Sequence, residues 1–133
     1  MRSFILLLGL LFYSHLAFSQ DFHSLLEMKP EKTFENALVQ PLNSDKHGSS
    51  FLIWVKDKVA AHFHEKHTEH VYILAGEGLM KIGEEERKVS AGDLLFIPQG
   101  MVHSLIVLSD EPMKALSIQT PEFHGADRHF IDE

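Results

Sequence analysis

Between Phe34 and Gln119 the hydrophobic positions come in short runs broken by polar ones, and no helical period is sustained. Residues 34–40, 50–55, 59–64, 70–74, 79–82, 87–89, 94–97, 103–108 and 113–119 are short β-rich runs of the kind that form strands. Turn-forming residues separate most of them: Pro41 to Asn43, Lys56-Asp57-Lys58, Gly76-Glu77-Gly78, Gly83-Glu84-Glu85, Ala91-Gly92-Asp93, Pro98-Gln99-Gly100 and Asp110-Glu111-Pro112. Short strands at near-regular spacing predict an all-β sandwich or barrel. Ahead of them, residues 21–30 place Phe22, Leu25, Leu26 and Met28 toward one side and stop at Pro30, which predicts a short helix or an irregular arm. The polar stretch from Pro121 to Glu133 is expected to wrap the outside.

The first twenty residues have a different pattern. Arg2 precedes an apolar run over residues 4–13, and a more polar stretch follows, ending Ala17-Phe18-Ser19. This is the order of a secretory signal, with small residues three and one before a cut after Ser19. A spanning helix needs about 20 apolar residues, and Ser14 and His15 interrupt this run first. Residues 1–19 are therefore read as a signal peptide, and residues 20–133 as one domain that folds outside the cytoplasm, periplasmic or secreted, with no membrane segment of its own.

Composition narrows the function. The chain has 133 residues, 44% of them hydrophobic, with a formal net charge of −7 and no cysteine. An acidic chain without a basic cluster lacks the phosphate contacts that nucleic acid requires. The missing cysteines exclude disulfides, thiolate ligands and cysteine nucleophiles. Histidine is the outlier, with ten in the chain.

Several of these histidines fall in AAHFHEKHTEHVYILAGEG, residues 60–78. His62 and His64, two apart on a predicted strand, share a face. Glu69 comes five residues later, and His103 follows the Pro98-Gln99-Gly100 turn. Imidazole nitrogens with one carboxylate oxygen suit a borderline divalent ion such as Fe, Mn, Zn, Cu or Ni, rather than Ca or Mg. Helical zinc motifs are absent: HExxH would need His at Thr68, and HxxEH would need His at Lys66. His67 and His70 are extra histidines in the run, open to auxiliary ligation or proton transfer, but His70 follows Glu69 and should face away. His124 and His129 are expected to be solvated.

The spacing His-x-His-x4-Glu-x6-Gly (His62, His64, Glu69, Gly76) resembles the first motif of the cupin superfamily. Gly-x5-Pro-x-Gly-x2-His (Gly92, Pro98, Gly100, His103) resembles the second. The likeness extends over about residues 34–121 and is to small single-domain cupins. It implies a double-stranded β-helix, or jelly-roll, barrel with one divalent transition metal ion held by His62, His64, Glu69 and His103. Lys56 stands where the first motif usually opens with Gly, and Val107 where the second usually ends with Asn. Val71, Ile73, Leu105 and Val107 share parity with the ligands, so an apolar pocket is expected, with no Arg or Lys placed to clamp an anion. These features point to a metal-dependent enzyme on a small molecule, of oxygenase, isomerase or lyase type, or to a non-catalytic module that binds a metal or small ligand. Small cupins pair through sheet edges, and an apolar run such as 34–39 is a liability unpaired, so a homodimer is expected.

Overall fold

The computed structural model describes residues 21–131. Residues 1–19, expected from the sequence to be a signal peptide, lie outside the described residues.

Two five-stranded antiparallel sheets face each other. In the first, β1 (Ala37–Asp45), β2 (Gly48–Val55), β9 (Met113–Thr120), β4 (Thr68–Ala75) and β7 (Leu94–Ile97) lie side by side in that order. In the second, the order is β10 (His129–Phe130), β3 (Lys58–Phe63), β8 (His103–Val107), β5 (Glu77–Ile82) and β6 (Glu85–Ser90). Strands adjacent in sequence often sit in opposite sheets, as in a jelly-roll barrel, and the all-β expectation holds.

Alternation along each strand decides which side chains enter the barrel. Ile73, Met80, Val89, Ile97 and Met113 form a buried floor, with Val71, Leu95, Leu105 and Val107 packed against it. Gly76, at φ 85°, lets the chain pass close to β9, where a Cβ would stand 2.9 Å from the Met113 Cα. Leu38, Leu52 and Trp54 point out of the first sheet and are buried under Leu25, Met28 and Phe34. The arm is tied down by Lys114, whose Nζ donates to the carbonyls of Leu25, Leu26 and Met28.

Two expectations are corrected, and a third is narrowed to one of its two alternatives. Residues 21–30 form the irregular arm, with one turn at residues 25–27 closed by Glu27 N and Met28 N on Ser24 O, and no helix. Pro30 leaves too little length for one to propagate. Pro41 to Asn43 is not a turn but a bulge within β1. Proline is tolerated on an edge strand, and the hairpin turns later, at Lys46-His47, where Asp45 Oδ1 accepts from His47 N and Gly48 N. The C-terminal stretch does not merely wrap the outside, because β10 pairs with β3 and Asp127 is buried. Among the described residues no helix is long and apolar enough to cross a membrane.

Candidate metal centre

His62 on β3 pairs in register with His103 on β8. His64 follows the end of β3, where its carbonyl accepts from Gly100 N at 2.7 Å, and Gln99 Nε2 donates to Glu65 O at 2.6 Å. The turn that precedes His103 is thus stitched to the segment carrying His64. Glu69 on β4 comes from the opposite sheet. All four side chains are buried. His62, His64 and His103 bring ring nitrogens within 4.8 Å of one another, and Glu69 Oε2 lies 3.4 Å from both His64 Nε2 and His103 Nε2.

Each ring is oriented from behind. His62 Nδ1 donates to Ala60 O at 2.8 Å, His64 Nδ1 to Asp127 O at 2.7 Å and His103 Nδ1 to Met101 O at 3.0 Å. A carbonyl can only accept, so in the neutral ring the proton sits on Nδ1 and the Nε2 lone pair is free. His64 Nε2 is buried without a hydrogen-bond partner, and such orphans are rare unless a ligand satisfies them. This donor set fits a divalent transition metal, in the pattern by which histidine ligands are aimed through their second nitrogen.

Glu69 is aimed the same way. Its Oε1 accepts from Ser117 Oγ at 2.5 Å and from Gln119 Nε2 at 3.4 Å, leaving Oε2 toward the rings. Burial works against its charge, but the His103 and His64 rings and the Ser117 hydroxyl outweigh that and hold the carboxyl far below its usual range. Burial, with the neighbouring His103, lowers His62 to about 4. For His64 burial also opposes the proton, but Glu69 and the Asp127 carbonyl more than offset it and raise its proton affinity. One carboxylate facing two imidazole nitrogens, with that of His62 beside them, is a site that attracts a cation.

The centre opens into a cavity of about 290 Å³ lined by Val71, Ile73, Leu95, Leu105 and other apolar side chains. Val71, Ile73 and Leu105 face it as their parity requires; Val107 packs against the floor instead.

The other histidines separate. His70 turns to the outer face, its ring 5.1 Å from that of Phe96. His67 is buried, but bonded to Asp127 and to Glu122 O, so it serves a latch and does not reach the centre. Asp127 also accepts from Glu65 N, Lys66 N and His129 Nε2. His129 stacks on Phe63 and is not fully solvated, whereas His124 is exposed. Glu65, Asp127 and His129 also lie close enough to hold an ion, but the Asp127 oxygens are already taken up by the latch.

Sequence reasoning missed Ser117, Gln119 and Asp127. The first two were legible in principle, as polar residues sharing inward parity with Met113 and Ala115. Asp127 carried no such signal.

Residues 50–119 match the cupin domain family, and the chain belongs to that family. An uncharacterized protein of Aquifex aeolicus is 32% identical over 97 residues, 73% of this chain and 79% of that protein. Quercetin 2,3-dioxygenase of Bacillus subtilis is 40% identical over 48 residues, but these are 36% of this chain and 14% of the enzyme. Among solved structures, an uncharacterized protein with a double-stranded β-helix domain from Klebsiella pneumoniae superposes with a TM-score of 0.71, at 16% identity, over 86% of this chain and 99% of that one. That likeness is one of fold.

Proposed function

We propose that the protein is an exported, metal-dependent enzyme acting on a small molecule, of oxygenase, isomerase or lyase type. One divalent ion is held by His62, His64, Glu69 and His103. The observation that carries this reading is the set of three rings anchored through Nδ1, with the buried Nε2 of His64 left unpartnered at the mouth of an apolar cavity. The bound ion supplies Lewis acidity or activation of water or O₂. The chain's own groups fix the donor atoms, while Val71, Ile73, Leu95 and Leu105 exclude water and hold an apolar substrate body. The local likeness to a dioxygenase supports the oxygenase form of the reading. Export rests on the order of residues 1–19, and sequencing the N-terminus of protein recovered outside the cytoplasm tests it, with a start at Gln20 expected.

The test of function is anaerobic purification with metal analysis, then O₂ uptake against diols, enols and small keto compounds. Metal-dependent consumption is the expected result. Tight binding without turnover under any metal replaces the enzyme with a binding module.

We also propose a homodimer, through a different surface from the edge run 34–39. Phe34 packs with the arm against Leu38, Leu52 and Trp54, whereas Tyr72, Leu94, Phe96 and Ile118 lie exposed on the outer face of β4, β7 and β9. A dimeric mass by light scattering, shifted to monomer by Phe96→Glu, is expected; a monomeric wild type defeats the proposal.

A further inference from the structure

The C-terminal segment does more than latch His64. β10 pairs Phe130 with His62, so residues of Phe130's parity, Arg128 included, fall on the side of the strand that His62 uses. Both Arg128 and Phe130 line the cavity beside His62 and Glu69. The Phe130 ring lies 5.8 Å from that of His62 and is largely exposed at the opening.

Arg128 is exposed and makes no hydrogen bond or ion pair among the described residues. In a chain with nineteen Asp and Glu against twelve Lys and Arg, a guanidinium without a counterion among the described residues is notable. The acid next to it in the chain, Asp127, is taken up by its latch with His67. An arginine offers a planar fork suited to a carboxylate. Beyond it the cavity wall is mostly apolar, with Asn36, Lys58 and Ser104 also on the lining, and His62 and His103 of the centre lie beside Glu69.

Resting on the function proposed above, we propose that Arg128 determines specificity by binding the carboxylate of a small organic acid. The acid's neighbouring oxygen then reaches the metal centre, and its hydrocarbon body lies between Phe130 and the apolar wall. This assigns a class narrower than diols and enols in general: acids with an oxygen function next to the carboxylate. It also corrects the expectation that no cation is placed to clamp an anion. That cation was invisible because the tail had no pattern tying it to the barrel mouth.

The test is a matched pair of probes, 2-hydroxyhexanoate and hexane-1,2-diol, titrated calorimetrically into full-length mature protein loaded with Zn(II), with metal content measured on the same samples. The wild type is expected to bind the acid at least about tenfold more tightly than the diol, the scale of one charge-assisted contact. Arg128→Gln should cut that preference by about tenfold and leave metal content and diol binding unchanged, while Arg128→Lys retains part of it. Equal binding of acid and diol by the wild type, or an undiminished preference in Arg128→Gln, overturns the proposal while stoichiometric metal leaves the centre standing. A wild type that takes up no metal overturns both readings.

Discussion

The two ends of the barrel are held together by different physics. At the floor, Ile73, Met80, Val89, Ile97 and Met113 pack against one another and against apolar neighbours, and their side chains bring no strongly polar group that needs a partner. At the mouth, His62, His64, Glu69 and His103 are equally buried, yet each is bonded on its outer side and open on its inner side. The floor gains from removing apolar area from water. The mouth carries the desolvation cost of polar groups, which is offset in part by backbone carbonyls and by Ser117. One end is a packing problem, and the other is a set of aimed atoms waiting for a charge.

Removing the donors should have the largest effect, and it should be confined to the mouth. The double variant His62→Ala/His64→Ala is expected to lose stoichiometric metal altogether while keeping a β-sheet circular dichroism spectrum. Undiminished metal by elemental analysis would place the ion elsewhere.

At the floor the expectation reverses. Ile97→Ala should cost about 2–5 kcal/mol in urea unfolding of the metal-free protein, the range for a buried aliphatic truncation, and still bind one equivalent of metal. Loss of metal binding in that variant would show that the two ends are not separable.

The latch lies between these extremes. Asp127→Ala should lower stability by about 1–3 kcal/mol through unsatisfied groups on Glu65, Lys66 and His67. It should also weaken metal binding, by less than the about 10–100-fold of losing a group bonded to a ligand, because the variant keeps the main-chain carbonyl that orients His64 but loses the carboxylate that holds it in place. Metal affinity equal to wild type by competition with a chelator would confine Asp127 to structure.

The smallest effect expected is with pH. Burial works against the Asp127 charge, but bonds from His67, Lys66 N, His129 and Glu65 N outweigh it and bring the carboxyl down from 3.8 to about 2. A carboxyl depressed in the folded state contributes stability above its unfolded value, and that contribution is lost as pH falls. Tail protection in hydrogen exchange should therefore decline between about pH 4 and 2 in the metal-free protein, ahead of the floor. Simultaneous loss at both ends would remove the distinction.

Much of the barrel was legible because strand alternation is a local property. His62, His64 and Glu69 lie close in the chain, and His103 follows a Pro-Gln-Gly turn, so the resemblance of these two stretches to the cupin motifs grouped the four residues that the fold brings together. Where the sequence misled, the deciding partner was distant. Pro41 looks like a turn until β2 pairs across its bulge. Residues 121–131 look like a solvated tail until Asp127 meets Glu65, Lys66 and His67, some sixty residues back.

The sequence by itself determined the fold class, the face on which the histidines lie and the apolar character of the wall, since these follow from period-two patterning and residue type. Only the tertiary structure decided which nitrogen of each histidine is free, what turns Glu69 toward the rings and where Arg128 and Phe130 stand. Those depend on backbone carbonyls and on strand pairing between segments far apart in the chain. Hydrogen bonds to main-chain atoms leave no mark on residue identity, because every residue has the same carbonyl to offer.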